Sequence, residues 1–190
     1  MDLREKKTIQ NIENAFLQLR AQKPLERITV KELSELAQIS KSTFYLHYED
    51  VNDLSNRMQK DVIQKIFDSI PPFDMSFTDQ AQFAKTVFQA FVNHSKVTDI
   101  LFSGRQYYVL AFHVEDGMKE YVFQNYPHLR DCAEFNVLLS YIIQGAFSAY
   151  VENHVTFRDE FVFKIVSDIS SNIAASHLCG LIDDVTKQCD

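Results

Sequence analysis

Only eight of the 190 residues are glycine or proline, four of each, and apart from the pair Pro71-Pro72 they stand alone and far apart. An all-β chain needs a turn former about every eight to twelve residues. The long intervals between breakers here call for long helices instead. Apolar residues make up 46% of the chain, enough for a true core, so one large domain, or a small one beside a larger one, is expected. No run of alternating β-branched residues competes, and no repeat or low-complexity segment interrupts the pattern.

Helical periodicity then divides the chain. A first helix is expected from Leu3 to Ala21, with Ile9, Ile12, Phe16 and Leu19 on one face and Pro24 beyond its end. Thr29 and Glu32 have capping-box spacing, which opens a short second helix with Leu33, Leu36 and Ala37 inward. Ser40 is the next N-cap, for a helix ending near Tyr48, and Asp50 caps a fourth that carries Leu54, Met58, Ile63, Ile66 and Phe67. Further helices are expected over Thr78–Lys96 (Phe83, Val87, Phe88, Phe91), in "VTDILF" before Gly104, and over Arg105–Tyr126 and Leu129–Asn153. Thr156 would cap the last, which bears Phe161, Ile165, Val166, Ile169 and Ile173 and stops before Gly180. The fold class is all-α, a small N-terminal head followed by a larger bundle, about nine helices in total.

Several function classes find no support in these residues. The opening "MDLREKKTIQ" is charged and lacks the apolar stretch of a signal peptide. The longest uncharged run, Phe135 to Val151, contains Asn, Ser and Gln and is shorter than the roughly 20 residues a membrane span needs. Cys132, Cys179 and Cys189 are odd in number and match no zinc spacing, so a reducing cytoplasm is expected, with Cys132 a small buried hydrophobe. His94, His113 and His128 lack metal-ligand spacing, and Glu115–Asp116 and Asp159–Glu160 read as solvated helix faces. There is no P-loop, no G-x-S-x-G, no dinucleotide glycine fingerprint and no di-iron Glu-x-x-His pair, so neither an enzyme nor a cofactor is expected.

The charge is unevenly spread. Residues 1–50 hold eight basic and eight acidic side chains, so all of the net −7 lies in residues 51–190. Within that neutral front stands "ITVKELSELAQISKSTFYLHYED", Ile28 to Asp50. Two short helices and a turn around Gln38–Ser40 form a helix-turn-helix, whose second helix would lie in a major groove. Leu33, Ala37, Ile39 and Phe44 would lock the pair, with Tyr48 also in the core. Lys41, Ser42, Tyr45 and Leu46 would project outward. Hydroxyls and a lysine can bond phosphates or base edges, and the amides at the start of that helix can meet a phosphate.

One helix, then "ITVKELSELA", then "ISKSTFYLHYED", then a long helix opening "DVNDL", resembles the DNA-binding domain of the Tet repressor family over about Lys7 to Arg57. The resemblance implies DNA contacts from Thr29 and Lys31 and from Ser40, Lys41, Ser42, Thr43, Tyr45 and His47, with Tyr45 and His47 on phosphate. Two positions depart from the family pattern: Gln38 stands where glycine is usual in the turn, and Val51 where lysine often opens the fourth helix.

The resemblance further implies a DNA-binding domain over 1–50 and a helical effector-binding and dimerisation domain over 51–190, with the fourth helix as a lever. An aromatic stripe of Phe88, Phe91, Tyr107, Tyr108 and Phe112 would line the effector pocket. A homodimer would form through Leu138, Tyr141, Ile142, Gly145 and Ala149 together with Ile165, Ile169 and Ile173, because this apolar face exceeds what one monomer can bury. The expected function is a cytoplasmic repressor released from a palindromic operator by a hydrophobic or aromatic molecule. A DNA-binding protein controlled by a protein partner, and a helical hydrophobe carrier, are the alternatives. Palindrome binding separates the first two from the third, and loss of binding with a small molecule separates the first from the second.

Overall fold

The computed structural model describes residues 3–71, 86–87, 89–91, 93–153 and 156–186. Among them no strand occurs, so the chain is all-α as its scarcity of breakers requires. The α-helices are α1 (Leu3–Arg20), α2 (Val30–Ala37), α3 (Lys41–Tyr45), α4 (Val51–Asp68), α5 (Ser95–Leu101), α6 (Tyr107–Asn125), α7 (Ala133–Asn153) and α8 (Asp159–Thr186). Tight 3-10 turns precede α2, α6 and α7 at Leu25–Arg27, Gly104–Gln106 and Pro127–Asp131. Residues 86–87, 89–91 and 93 are also helical; the rest of the helix expected over Thr78–Lys96 up to residue 85, with Phe83, lies outside the described residues, as does Phe88.

The chain forms two compact units. The first comprises Met1–Gln64 and Asn93–Leu110, and the second Lys65–Val92 and Ala111–Asp190. The first unit thus runs past residue 50, takes in most of α4, and adds a segment from much later in the chain.

Inside the first unit, α1 packs on α2 and α5, and α2 packs on α3. Ile12, Phe16 and Arg20 follow one another at i, i+4, i+8 on α1, and all three are buried. The guanidinium of Arg20 donates to the carbonyl of Lys23 (3.1 Å) and to both the carbonyl (3.2 Å) and Oγ (2.7 Å) of Ser103. Gln59 on α4 is also buried, and its Nε2 donates to the Leu101 carbonyl and to Gln106 Oε1, each at 3.1 Å. Two buried polar side chains therefore clasp the 101–106 stretch to α1 and to α4. Burial lowers the pKa of Arg20, with the charge of Glu26 opposing.

The second unit has a core of Val122, Phe123, Leu129 and Phe135, with Tyr121, Cys132, Leu138 and Leu139 packed against it. Phe67 at the end of α4 meets Phe91 edge-on at 6.3 Å and Tyr121 at 6.1 Å, and the Tyr121 hydroxyl donates to the Pro71 carbonyl. Helices α7 and α8 pack against each other.

Four helix boundaries differ from expectation. Helix α3 closes at Tyr45 rather than near Tyr48, because the Leu46 amide is shared between the Ser42 and Thr43 carbonyls and the turn tightens. Helix α7 starts at Ala133 rather than Leu129: Asn136 Nδ2 reaches back to the carbonyls of Leu129, Arg130 and Cys132 and holds that stretch as a separate turn. Thr156 is not the cap of α8; its amide bonds the Asn153 carbonyl, and the Phe161 and Val162 amides in the first turn of α8 bond the Arg158 carbonyl. Helix α8 continues through Gly180 to Thr186, since one helical glycine costs only about 1 kcal/mol. Glu115 is not a solvated face either. It is largely buried, paired with Lys119 at 2.6 Å and hydrogen-bonded by Ser140 (2.5 Å) and Gln144 (2.9 Å). Burial raises its pKa, but the bonds from Gln144, Lys119 and Ser140 outweigh burial and hold the carboxyl low.

Candidate nucleic-acid interface

The local build of residues 28–50 follows from its caps. Glu32 donates its amide to Thr29 Oγ1 at 3.3 Å, and Glu32 Oε2 accepts from the Thr29 amide at 3.2 Å, a complete capping box at the start of α2. The Glu32 carboxylate also accepts from Lys23 at 2.6 Å, and that bond, with the one from the Thr29 hydroxyl, keeps its pKa low. At the other end Gln38 adopts φ 57°, ψ 46°, the left-handed conformation. The amides of Gln38 and Ile39 return to the carbonyls of Glu35 and Ser34, closing a Schellman turn. Only Gln38, Ile39 and Ser40 separate α2 from α3.

A side chain in the left-handed region costs roughly 1–2 kcal/mol, and glycine gives back about 0.5–1 kcal/mol in lost backbone entropy. Gln38→Gly is therefore expected to stabilise the first unit by roughly 0.5–1 kcal/mol. Thermal melting of the two proteins checks this; a lower melting temperature for the glycine variant would refute the strain argument.

Ser40 caps α3. Its Oγ accepts from the Thr43 amide at 3.0 Å and lies 2.7 Å from Ser42 Oγ and 2.8 Å from Thr43 Oγ1. Phe44 is 0% exposed and anchors the helix, with the Tyr48 ring 5.7 Å away and the Tyr45 ring edge-on at 5.6 Å. Tyr48 is buried, and burial, helped by the charge of Glu13, pushes its phenol up to about 12. Asp50 Oδ1 accepts from the Asp53 amide at 2.8 Å and starts α4, so the segment is held at both ends.

With Phe44 inward, the expected contact residues fall into two groups. Lys41, Ser42 and Tyr45 are exposed, Tyr45 at 57%, and they share the outer face of α3 with Leu46, which is 81% exposed. Among the described residues Lys41 has no carboxylate within ion-pair distance. Ser40, Thr43 and Thr29 instead spend their hydroxyls on helix starts, and the Thr43 amide is filled by Ser40; the exposed Ser42 hydroxyl shares one hydrogen bond with Ser40. Lys31 is exposed 4.0 Å from Glu35 on the next turn of α2, and His47 is half-buried. Leu36, expected inward, is exposed, because the buried arc of α2 is centred on Leu33, Ser34 and Ala37.

The first unit carries twelve basic and eleven acidic side chains. Its net charge is +1, and the second unit holds −8. Sequence reasoning missed Arg20, Gln59 and Ser103, the clasp behind this surface. The signal for Arg20 was present in the i+4 series from Ile12 and Phe16; nothing local marks Gln59 or Ser103.

The other expected sites are placed as follows. Phe91 is half-buried against Phe67, Tyr107 is half-buried, and Tyr108 and Phe112 share one exposed face of α6. On α7, Tyr141 (66%), Gly145 and Ala149 are exposed, while Ile142 is half-buried and Leu138 packs into the core of its own unit. Ile165 and Ile169 (54%) are exposed on α8, and Ile173 is half-buried. Val137 and Phe161, which were not among the expected interface residues, are also exposed and extend the two stripes to 137-141-145 and 161-165-169. No helix among the described residues is long and apolar enough to cross a membrane, and none of their side chains form a group of three that could hold a metal ion. No family model and no curated protein matches this chain.

Proposed function

We propose that this chain is a sequence-specific DNA-binding transcriptional regulator of the Tet repressor kind, acting as a homodimer on a palindromic operator in the cytoplasm. The observation that carries the reading is the outer face of α3: Lys41, Ser42 and Tyr45 stand exposed on a short helix fixed by the fully buried Phe44. Donors and acceptors on a rigid short helix suit base edges and phosphates in a major groove. The near-neutral charge of the first unit supports it, since the −8 of the second would repel DNA. The exposed apolar stripes on α7 and α8 support a dimer, since a two-fold axis would cover such a surface with its own copy.

The test is a binding selection with random DNA. A palindrome with half-sites about one helical turn apart is expected. Tyr45→Phe should weaken binding to all sequences alike, because a phosphate contact carries no base information. Lys41→Ala and Ser42→Ala should also shift which bases are preferred, by roughly 1–3 kcal/mol for each base that the truncated side chain no longer reads. Equal losses on selected and random DNA for all three variants would contradict this division, and absence of any selected site would refute the function.

Release of the operator by a hydrophobic or aromatic molecule belongs to the same proposal, supported by the aromatic packing of Phe67, Phe91 and Tyr121 in the second unit. The exposed pair Tyr108 and Phe112 favours a second reading, control by a protein partner. Linkage separates the two: an effector must bind more weakly in the presence of operator by the same factor that it weakens operator binding.

A further inference from the structure

Among the four outward side chains of α3, Leu46 is the one that can neither donate nor accept a hydrogen bond, yet it is 81% exposed. Its backbone is still helical, φ −72°, ψ −23°, and its amide bonds the Ser42 carbonyl at 3.2 Å. Leu46 therefore stands one turn beyond Ser42 on the same face. Both neighbours along this face, Ser42 and Tyr45, are polar and exposed. On this face the leucine is the purely apolar side chain, set at the end of a polar row.

On the reading of α3 as the helix that enters a major groove, we infer that Leu46 determines specificity by packing on the 5-methyl group of a thymine in each half-site. The thymine methyl is the one alkyl group that base pairs present in the major groove, beside hydrogen-bond donors and acceptors and the small C5–H of cytosine. An exposed leucine gains from meeting that methyl and gains nothing from a cytosine amine or a purine N7. One helical turn advances about 5.4 Å, and stacked bases are about 3.4 Å apart, so this thymine lies one or two steps from the base that Ser42 faces.

The experiment uses the full chain and the DNA site recovered by selection. Each thymine is replaced in turn, in both half-sites, by deoxyuridine, which keeps pairing and the O4 acceptor and lacks only the methyl. For one thymine position the wild-type protein should lose about four-fold per half-site, and so about fifteen-fold for the symmetric site, the worth of one buried methyl group each. Leu46→Ala should bind the thymine and uracil forms of that position equally, and Leu46→Met should keep the discrimination. A selected site at which no uracil substitution matters, or at which Leu46→Ala discriminates as the wild type does, overturns the role of Leu46 while leaving the regulator reading intact. Failure to select any site overturns both.

Discussion

An aspartate at Ile169 is expected to separate the protein into monomers and to lower its affinity for palindromic DNA by a hundred-fold or more. Ile169 is 54% exposed on α8, in a stripe with Phe161 and Ile165, and α7 carries its own exposed stripe of Val137, Tyr141 and Gly145. A two-fold interface buries each residue twice, so the substitution places two carboxylates in an apolar contact. An uncompensated buried charge costs roughly 3–5 kcal/mol, which is on the order of a hundred- to a few thousand-fold in an equilibrium constant. On the proposed function, a protomer alone would engage one half-site and lose the second head's contribution. Because Ile169 is exposed in the single chain, the variant should keep its helical circular dichroism. Sedimentation velocity at micromolar concentration, with DNA titration alongside, reads both effects. A wild-type protein that sediments as a monomer, or a variant that stays dimeric, would refute the interface.

The second large effect is expected from a residue that no ligand touches. Phe44→Ala should destabilise the first unit by about 3–5 kcal/mol and abolish DNA binding, because a fully buried phenylalanine is replaced by a cavity. Helix α3 has five residues, too few to persist without tertiary support, so its outward face is only as well fixed as the Phe44 anchor. Phe44→Leu should recover most of both, within about 1.5 kcal/mol. Denaturant unfolding and DNA titration on the three proteins test this. Full DNA affinity in Phe44→Ala would mean that α3 is held by something other than its core contact.

The parts of this molecule legible in its sequence are those fixed by interactions within a few residues. The capping box of Thr29 and Glu32, the Ser40 cap, the Asp50 start of α4 and the inward placement of Phe44 and Tyr48 all follow from spacing alone. Even the left-handed Gln38 was flagged by a missing glycine. What was not legible depends on partners far along the chain. Burial of Arg20 needs Ser103, 83 residues away, and the low pKa of Glu115 needs Ser140 and Gln144 on another helix. The residues expected to line a pocket and an interface are intermediate. Helical period groups Tyr141 and Ile169 with their exposed neighbours, but it could not show that Leu138 turns into its own core or that Tyr108 and Phe112 stand exposed.

The clasp of Arg20 and Gln59 on residues 101–106 bears on how the protein is made. A ribosome adds about 5–20 residues each second, and N-terminal units usually fold while the rest of the chain is still being synthesised. Here the N-terminal helices cannot complete their unit at residue 50, nor at residue 64, because its missing piece is Asn93–Leu110. Until that stretch emerges, the nascent chain holds a guanidinium without its two Ser103 acceptors and an α1 face without α5. Helix α3 therefore reaches its final rigidity only after more than half of the protein has been translated, and residues 1–64 expressed by themselves would resemble that waiting intermediate.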